Sequence, residues 1–195
     1  MPESAIPTLT RRERSALQIA NCAQRLTAER GFEGFTMEDL AQAANVSRRT
    51  LFNYFDSKLD AVLGPEPELT DEFTGEFRAG GPTGHLLSDL GQLAHRHFER
   101  MPQEKAQIST MREVIRNPRV LAACHERFER LAATVLEMIR EREGDRYDEI
   151  QAKVALGLLL VLCQVALESF LDSADDRGFT DYYDEAAARA NQLLA

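Results

Sequence analysis

Two adjacent arginines, Arg48 and Arg49, stand between Ser47 and Thr50, and Asn53 follows one helical turn later. A guanidinium presents its N–H donors as a planar fork that matches the O6 and N7 acceptors of guanine, a contact worth about 1–3 kcal/mol of discrimination against a wrong base. Thr50 and Asn53 add short polar groups with base-edge reach. Leu51 and Phe55, four residues apart, share the other side of a helix and are expected in the core, as is Phe52. Groups suited to phosphate surround this set. They are the hydroxyls of Thr36, Ser47 and Tyr54, and Lys58 in the first turn of the next helix, where the free N–H groups already favour an anion. Arg11, Arg12 and Arg14 form a basic N-terminal arm able to track a backbone.

Those side chains need short helices with defined starts, and the sequence supplies the starts. Thr10-Arg11-Arg12-Glu13 and Thr36-Met37-Glu38-Asp39 fit capping boxes, in which a hydroxyl and a carboxylate each satisfy a free backbone N–H. Between them, Ala16, Ile19, Ala20, Ala23 and Leu26 form a buried stripe at 3-4 spacing, and Gly31 ends the first helix. Asn45-Val46 breaks the second helix, because Asn tolerates positive φ better than most residues. Ser47 caps a third helix through Tyr54, and Asp56 or Ser57 a fourth. Residues 35–54 therefore have the layout of a helix-turn-helix motif, whose second helix enters the major groove with its N-terminal residues against base edges.

The stretch from Gly31 to Ala41 (GFEGFTMEDLA), then Ala44-Asn45-Val46-Ser47, then Thr50 to Lys58 (TLFNYFDSK), resembles the DNA-binding domain of the TetR family of bacterial regulators. The resemblance covers about a quarter of the chain. It implies an all-α fold of about nine helices, with an N-terminal helix-turn-helix domain and a larger C-terminal domain for effector binding and dimerisation. It also implies a homodimer on a palindromic double-stranded DNA operator, released by a small molecule. By position, Arg48, Arg49 and Thr50 match base-contacting sites of the family, and Tyr54 and Lys58 phosphate-contacting ones. The chain departs from the pattern at Asn45, where members usually carry Gly, and at Arg49, often Gly or Pro.

Charge divides along the same line. The chain carries a net −9, yet residues 1–62 hold equal numbers of basic and acidic side chains, so the deficit lies in the remainder. The boundary is drawn accordingly: a DNA-binding domain over 9–69 and an effector-binding and dimerisation domain over 70–195. In the second domain, Asn117-Pro118 starts a helix with the periodic residues Leu121, Cys124, Phe128, Leu131, Val135 and Met138. This start resembles the sub-branch of the family that takes acyl-CoA-like effectors. A helix over about 148–173 is apolar all round from Val154 to Leu162, and one over about 180–194 carries Ala186, Ala187 and Ala190, so a partner's bundle is expected there. Met101, Met111, Cys124, Phe128, Cys163 and Phe170 are the candidate lining of an apolar or acyl-type effector pocket, soft side chains suiting such a site.

Other classes find little support. Cys22, Cys124 and Cys163 lack CxxC spacing and read as reduced thiols of a cytoplasmic protein. The N-terminus shows no basic patch followed by an apolar stretch, and the longest apolar run, Val154–Cys163, falls short of a membrane span of about 20 residues. His95 and His97 diverge on a helix, His125 adjoins Cys124 with the same difficulty, and His85 stands apart, so neither a metal site nor a nucleophile–base pair is expected. The acidic run Asp172–Asp176 lacks the spacing of a calcium loop. No cofactor, metal, catalytic residue or membrane contact is expected. The competing readings are a helical dimerisation or scaffold protein without specific DNA binding and, furthest behind, a small helical enzyme.

Overall fold

The computed structural model describes residues 10–66, 69, 71–99 and 104–194, with backbone alone for 71–73 and 194. These residues form ten α-helices, one 3₁₀ turn and no strand. The helices are α1 Arg11–Arg30, α2 Met37–Ala43, α3 Arg48–Phe52, α4 Lys58–Leu63, α5 Asp71–Arg78, α6 Leu86–Glu99, α7 Lys105–Val114, α8 Pro118–Glu143, α9 Glu149–Asp172 and α10 Phe179–Leu194. The expected all-α class is found, with one helix beyond nine. Gly64, at φ 75°, stops α4, and Pro65 follows, so the segment after Ser57 divides into α4 and α5.

The helix starts are where the local chemistry puts them. Thr10 Oγ1 accepts from the Glu13 N–H at 3.2 Å while the Glu13 carboxylate accepts from the Thr10 N–H at 2.7 Å. The same reciprocal pair joins Thr36 and Asp39 at 3.2 and 2.8 Å, and donation from the Thr36 N–H and hydroxyl to the Asp39 carboxylate holds that carboxyl below its ordinary value. Ser47 and Ser57 accept from Thr50 and Asp60 at 3.0 and 3.1 Å, and Asn117 accepts from the Arg119 N–H at 3.0 Å. Asn45 takes φ 54°, the only non-glycine at positive φ among the described residues, and turns the chain sharply from α2 towards α3.

The chain forms two compact units. The first comprises Met1–Pro67 and Ala106–Phe128. Ile19, Ala23, Leu26, Phe32, Leu40, Leu51, Phe55 and Val62 fill its core, joined by Val114 and Val120 from α7 and α8. The sequence boundary at 69/70 thus differs from the packing, because Val114 and Val120, 2% and 0% exposed, are buried among residues of the first unit.

The second unit comprises Glu68–Lys105 and Glu129–Ala195. Phe77, Leu90, Leu93, Met138, Ile139, Ala152 and Ala155 form its core. Where α6, α9 and α10 meet, Phe98, Phe170, Phe179, Tyr182 and Tyr183 pack edge to face or tilted, with ring centroids 4.7–6.2 Å apart. Arg142 and Asp89 meet at 2.5 Å with side chains 2% and 0% exposed. The same guanidinium donates to the carbonyls of Phe77, Gly80 and Gly81.

Helix α9 runs for 24 residues and is long and apolar enough, by length and composition, to cross a membrane. Counting only the uninterrupted apolar run missed this, because single polar residues such as Lys153 and Gln164 break the run without breaking the helix. The helix packs on α10 and α6 through Ala152, Ala155, Ala166 and Phe170. Ile150, Val154, Val161 and Val165 remain exposed. At 100° per residue these four fall within about 60° of one another, on the side facing away from the buried set.

Candidate nucleic-acid interface

The putting together of this site starts with Leu51. It is 0% exposed, and its burial turns the first turn of α3 outward. Arg48 and Arg49 are both exposed there, on a helix one and a half turns long whose start is fixed by the Ser47 cap. Asn53 is exposed at the C-cap of α3. Thr50 is half-buried, and its hydroxyl lies 2.8 Å from that of Ser47. The four residues expected at base edges thus come from one short helix and its cap, anchored from beneath by Leu51 and Phe55.

The two arginines differ in environment. Arg48 Nη1 stands 3.0 Å from the Glu38 carboxylate of α2, and its guanidinium lies 5.6 Å from the centre of the Phe52 ring. Arg49 has no ion pair among the described residues. Phe52 corrects an expectation: it is 40% exposed rather than core. Leu51 and Phe55 already occupy the inward side, and a residue next to Leu51 points about 100° away from it. The ring left outside takes the Arg48 cation on its face, an attraction of about 0.5–1 kcal/mol at an exposed site. Glu38 was not singled out in the sequence. An acidic residue in the first turn of a helix is favourable for that helix alone, so its type carries no sign of a partner ten residues on.

The residues suited to phosphate are already engaged in holding the fold. Thr36 and Ser47 spend their hydroxyls on caps. Lys58 Nζ donates to the Phe35 carbonyl at 2.8 Å and sits 4.6 and 4.8 Å from the rings of Phe32 and Phe35. It therefore clamps the start of α4 to the loop before α2. Tyr54 is half-buried, with the Arg12 guanidinium 5.8 Å from its ring centre. Arg11, Arg12 and Arg14 lie in the first turn of α1, so this basic segment is helical rather than an extended arm. Arg11, Arg12 and Arg14 are exposed.

The candidate pocket residues are dispersed. Met101 lies outside the described residues. Met111 and Cys124 pack against the core of the first unit, where burial raises the Cys124 thiol. Phe128 is 40% exposed. Cys163 is half-buried in the second unit, its thiol pushed up to about 11 by desolvation, and Phe170 belongs to the aromatic group beside α9. Cys22, Cys124 and Cys163 are all free thiols.

Residues 19–62 match the model of the bacterial regulatory proteins of the tetR family. Over 85% of its length the chain is 27% identical to the HTH-type transcriptional regulator TcmR of Streptomyces glaucescens, covering 84% of that protein. It is 24% identical to the HTH-type transcriptional regulator UidR of Escherichia coli, over 83% of this chain and 81% of the relative. A solved structure from Mesorhizobium loti, described as a TetR-family transcriptional regulator, superposes with a TM-score of 0.54 at 19% identity over 95% of this chain and 98% of the other. That last likeness shows the fold.

Proposed function

The chain is a TetR-family transcriptional regulator, and we propose that it is a repressor that binds a palindromic operator as a homodimer and is released by a small molecule. The observation that carries this reading is the outward presentation of Arg48 and Arg49 on the first turn of α3 above the buried Leu51. Two guanidinium forks per subunit suit guanine in the major groove. A dimer presenting two such helices about 34–36 Å apart reads two half-sites one DNA turn apart. Tyr54, Lys58 and the basic first turn of α1 supply phosphate contacts that set register without reading sequence.

The exposed apolar stripe of α9 supports a second subunit there. Ile150, Val154, Val161 and Val165 form one face of a helix in a regulator that works in water, and a second copy packing on it would remove that face from solvent. The acidic charge of the second unit disfavours its own approach to DNA. The effector acts by favouring a spacing of the two reading helices that the operator does not match, through a coupling of about 1–3 kcal/mol. The protein acts in the cytoplasm.

The test is an electrophoretic shift of the DNA upstream of the chain's own gene. R48A/R49A is expected to lose specific binding while circular dichroism reports an intact fold. Operator affinity unchanged in that double variant would remove the assignment of the two arginines.

A further inference from the structure

Within the second unit, α6, α9 and α10 line a half-open cavity of about 390 Å³, inside the range of small-molecule sites. Leu87, Leu162 and Ala187 give it apolar walls, and Gln92, His95 and Tyr183 give it polar ones. Tyr183 is 2% exposed, and its hydroxyl is buried without a hydrogen-bond partner. That is unusual, since buried polar groups are normally satisfied. The hydroxyl lies so close over α6 that a Cβ on Gly91 would stand 3.3 Å from it. Desolvation holds this phenol protonated, so it is a donor. An acceptor brought into the cavity gains a hydrogen bond without displacing one.

The charge around the cavity decides what kind of acceptor. His95 places Nδ1 3.1 Å from the Asp184 carboxylate and Nε2 3.4 Å from that of Glu99. Asp184 itself lines the cavity, and no Lys or Arg is among the lining residues. A carboxylate or phosphate entering here would meet the Asp184 carboxylate with no Lys or Arg to pair with, while His95 is already engaged by Asp184 and Glu99, and burying an unpaired charge is costly.

We infer that the cavity between α6, α9 and α10 is a binding site for an uncharged, largely apolar molecule carrying a carbonyl or ether oxygen, which the Tyr183 hydroxyl receives. This deepens the reading of the chain as an effector-released regulator and rests on it for the consequence of binding, though not for the binding itself. It favours the neutral apolar class over the acyl-CoA-like class, whose members are anionic.

The 195-residue chain is titrated calorimetrically with benzophenone, with diphenylmethane (the same shape without the oxygen) and with 4-benzoylbenzoate (the same ketone with a negative charge). Benzophenone is expected to bind saturably, and on illumination to cross-link to peptides from α6 or α10. Benzoylbenzoate is expected to bind at least about tenfold more weakly. Y183F, which removes only the unpaired hydroxyl, should weaken benzophenone about three- to tenfold, the worth of one hydrogen bond, and leave diphenylmethane within about twofold. A190L, which fills the cavity, should abolish both. The inference is overturned if benzophenone shows no saturable binding, if it cross-links elsewhere, or if the carboxylate binds as well as the ketone. Operator binding is measured in parallel. Occupied cavity with unchanged DNA affinity supports the site and removes the release mechanism. Specific DNA binding with an empty cavity removes the site and leaves the regulator.

Discussion

The Arg48 guanidinium is held from two sides, by the Glu38 carboxylate at 3.0 Å and by the face of Phe52 at 5.6 Å. Both contacts are solvent-exposed, with Arg48 and Glu38 side chains 68% and 58% accessible. Such a bridge is worth about 0–1 kcal/mol, too little to lock the arginine away from DNA. It is enough to bias where the fork points before binding.

In the proposed complex, Glu38 would compete with guanine for this fork and set a negative charge beside the phosphates. E38Q is therefore expected to tighten operator binding by about two- to fivefold, read by fluorescence anisotropy, with little change in thermal stability. F52A removes the stacking surface and should weaken specific binding, though by less than R48A. A tighter complex in F52A would show that the ring obstructs rather than orients the arginine.

Lys58 serves the fold. Its charged hydrogen bond to the Phe35 carbonyl spans 23 residues of chain, and bonds of this type are worth about 1.5–3 kcal/mol. K58M is expected to lower stability by about 1–2 kcal/mol in urea unfolding, since the methionine keeps the contact with the two rings. If the ammonium also meets phosphate, the slope of log K against log salt becomes shallower by about 0.9 for each subunit. Loss of stability with an unchanged slope would leave Lys58 a purely structural clamp.

The α9 stripe should decide the oligomeric state. A charge at Val161 or Val154, exposed at 56% and 54% in the isolated chain, is expected to convert a dimer to monomer in light scattering. V161D and V154D should keep their helical content, because neither residue is buried within its own unit. Specific operator affinity should fall with the dimer, since one half-site alone offers half the contacts. A V161D that remains dimeric would place the subunit contact elsewhere.

The Asp89–Arg142 pair makes the second unit acid-sensitive. Burial pushes the Asp89 carboxyl up, but bonds from the Thr83 hydroxyl and N–H, and from Arg142, outweigh it and leave it below the ordinary carboxylate value. A carboxyl held low contributes stability that is fully present above its unfolded value, near pH 4. That stability is lost as the pH falls through the lower folded value. D89N at neutral pH leaves the buried Arg142 with Glu143, 3.1 Å from its Nε, as its remaining carboxylate, and should cost up to about 3 kcal/mol. Its melting temperature should also fall less than that of the parent between pH 5 and pH 3. A variant as stable as the parent at pH 7 would remove the pair from the energetics of the unit.

Much of the reading head was legible in the residues because its determinants are local. Caps at Thr10, Thr36, Ser47, Ser57 and Asn117 act over two or three residues, and the Asn45 turn over one, so type and spacing suffice to find them. The inward Leu51 and Phe55 follow from helical period in the same way. What the residues could not settle depends on partners far along the chain. Phe52 lies outside because Leu51 and Phe55 occupy the core positions beneath α3. Lys58 is bound by a carbonyl 23 residues away, and Asp89 by a guanidinium 53 residues away. Val114 and Val120 are buried with residues of the first unit even though they follow the Glu68–Lys105 segment of the second unit in sequence. The cavity beside Gly91 exists only because α6 and α10, far apart in sequence, pack side by side and leave the Tyr183 hydroxyl unpaired between them. Secondary structure is written in short-range spacing, whereas burial and pairing are properties of the assembled chain, and only the tertiary structure supplies them.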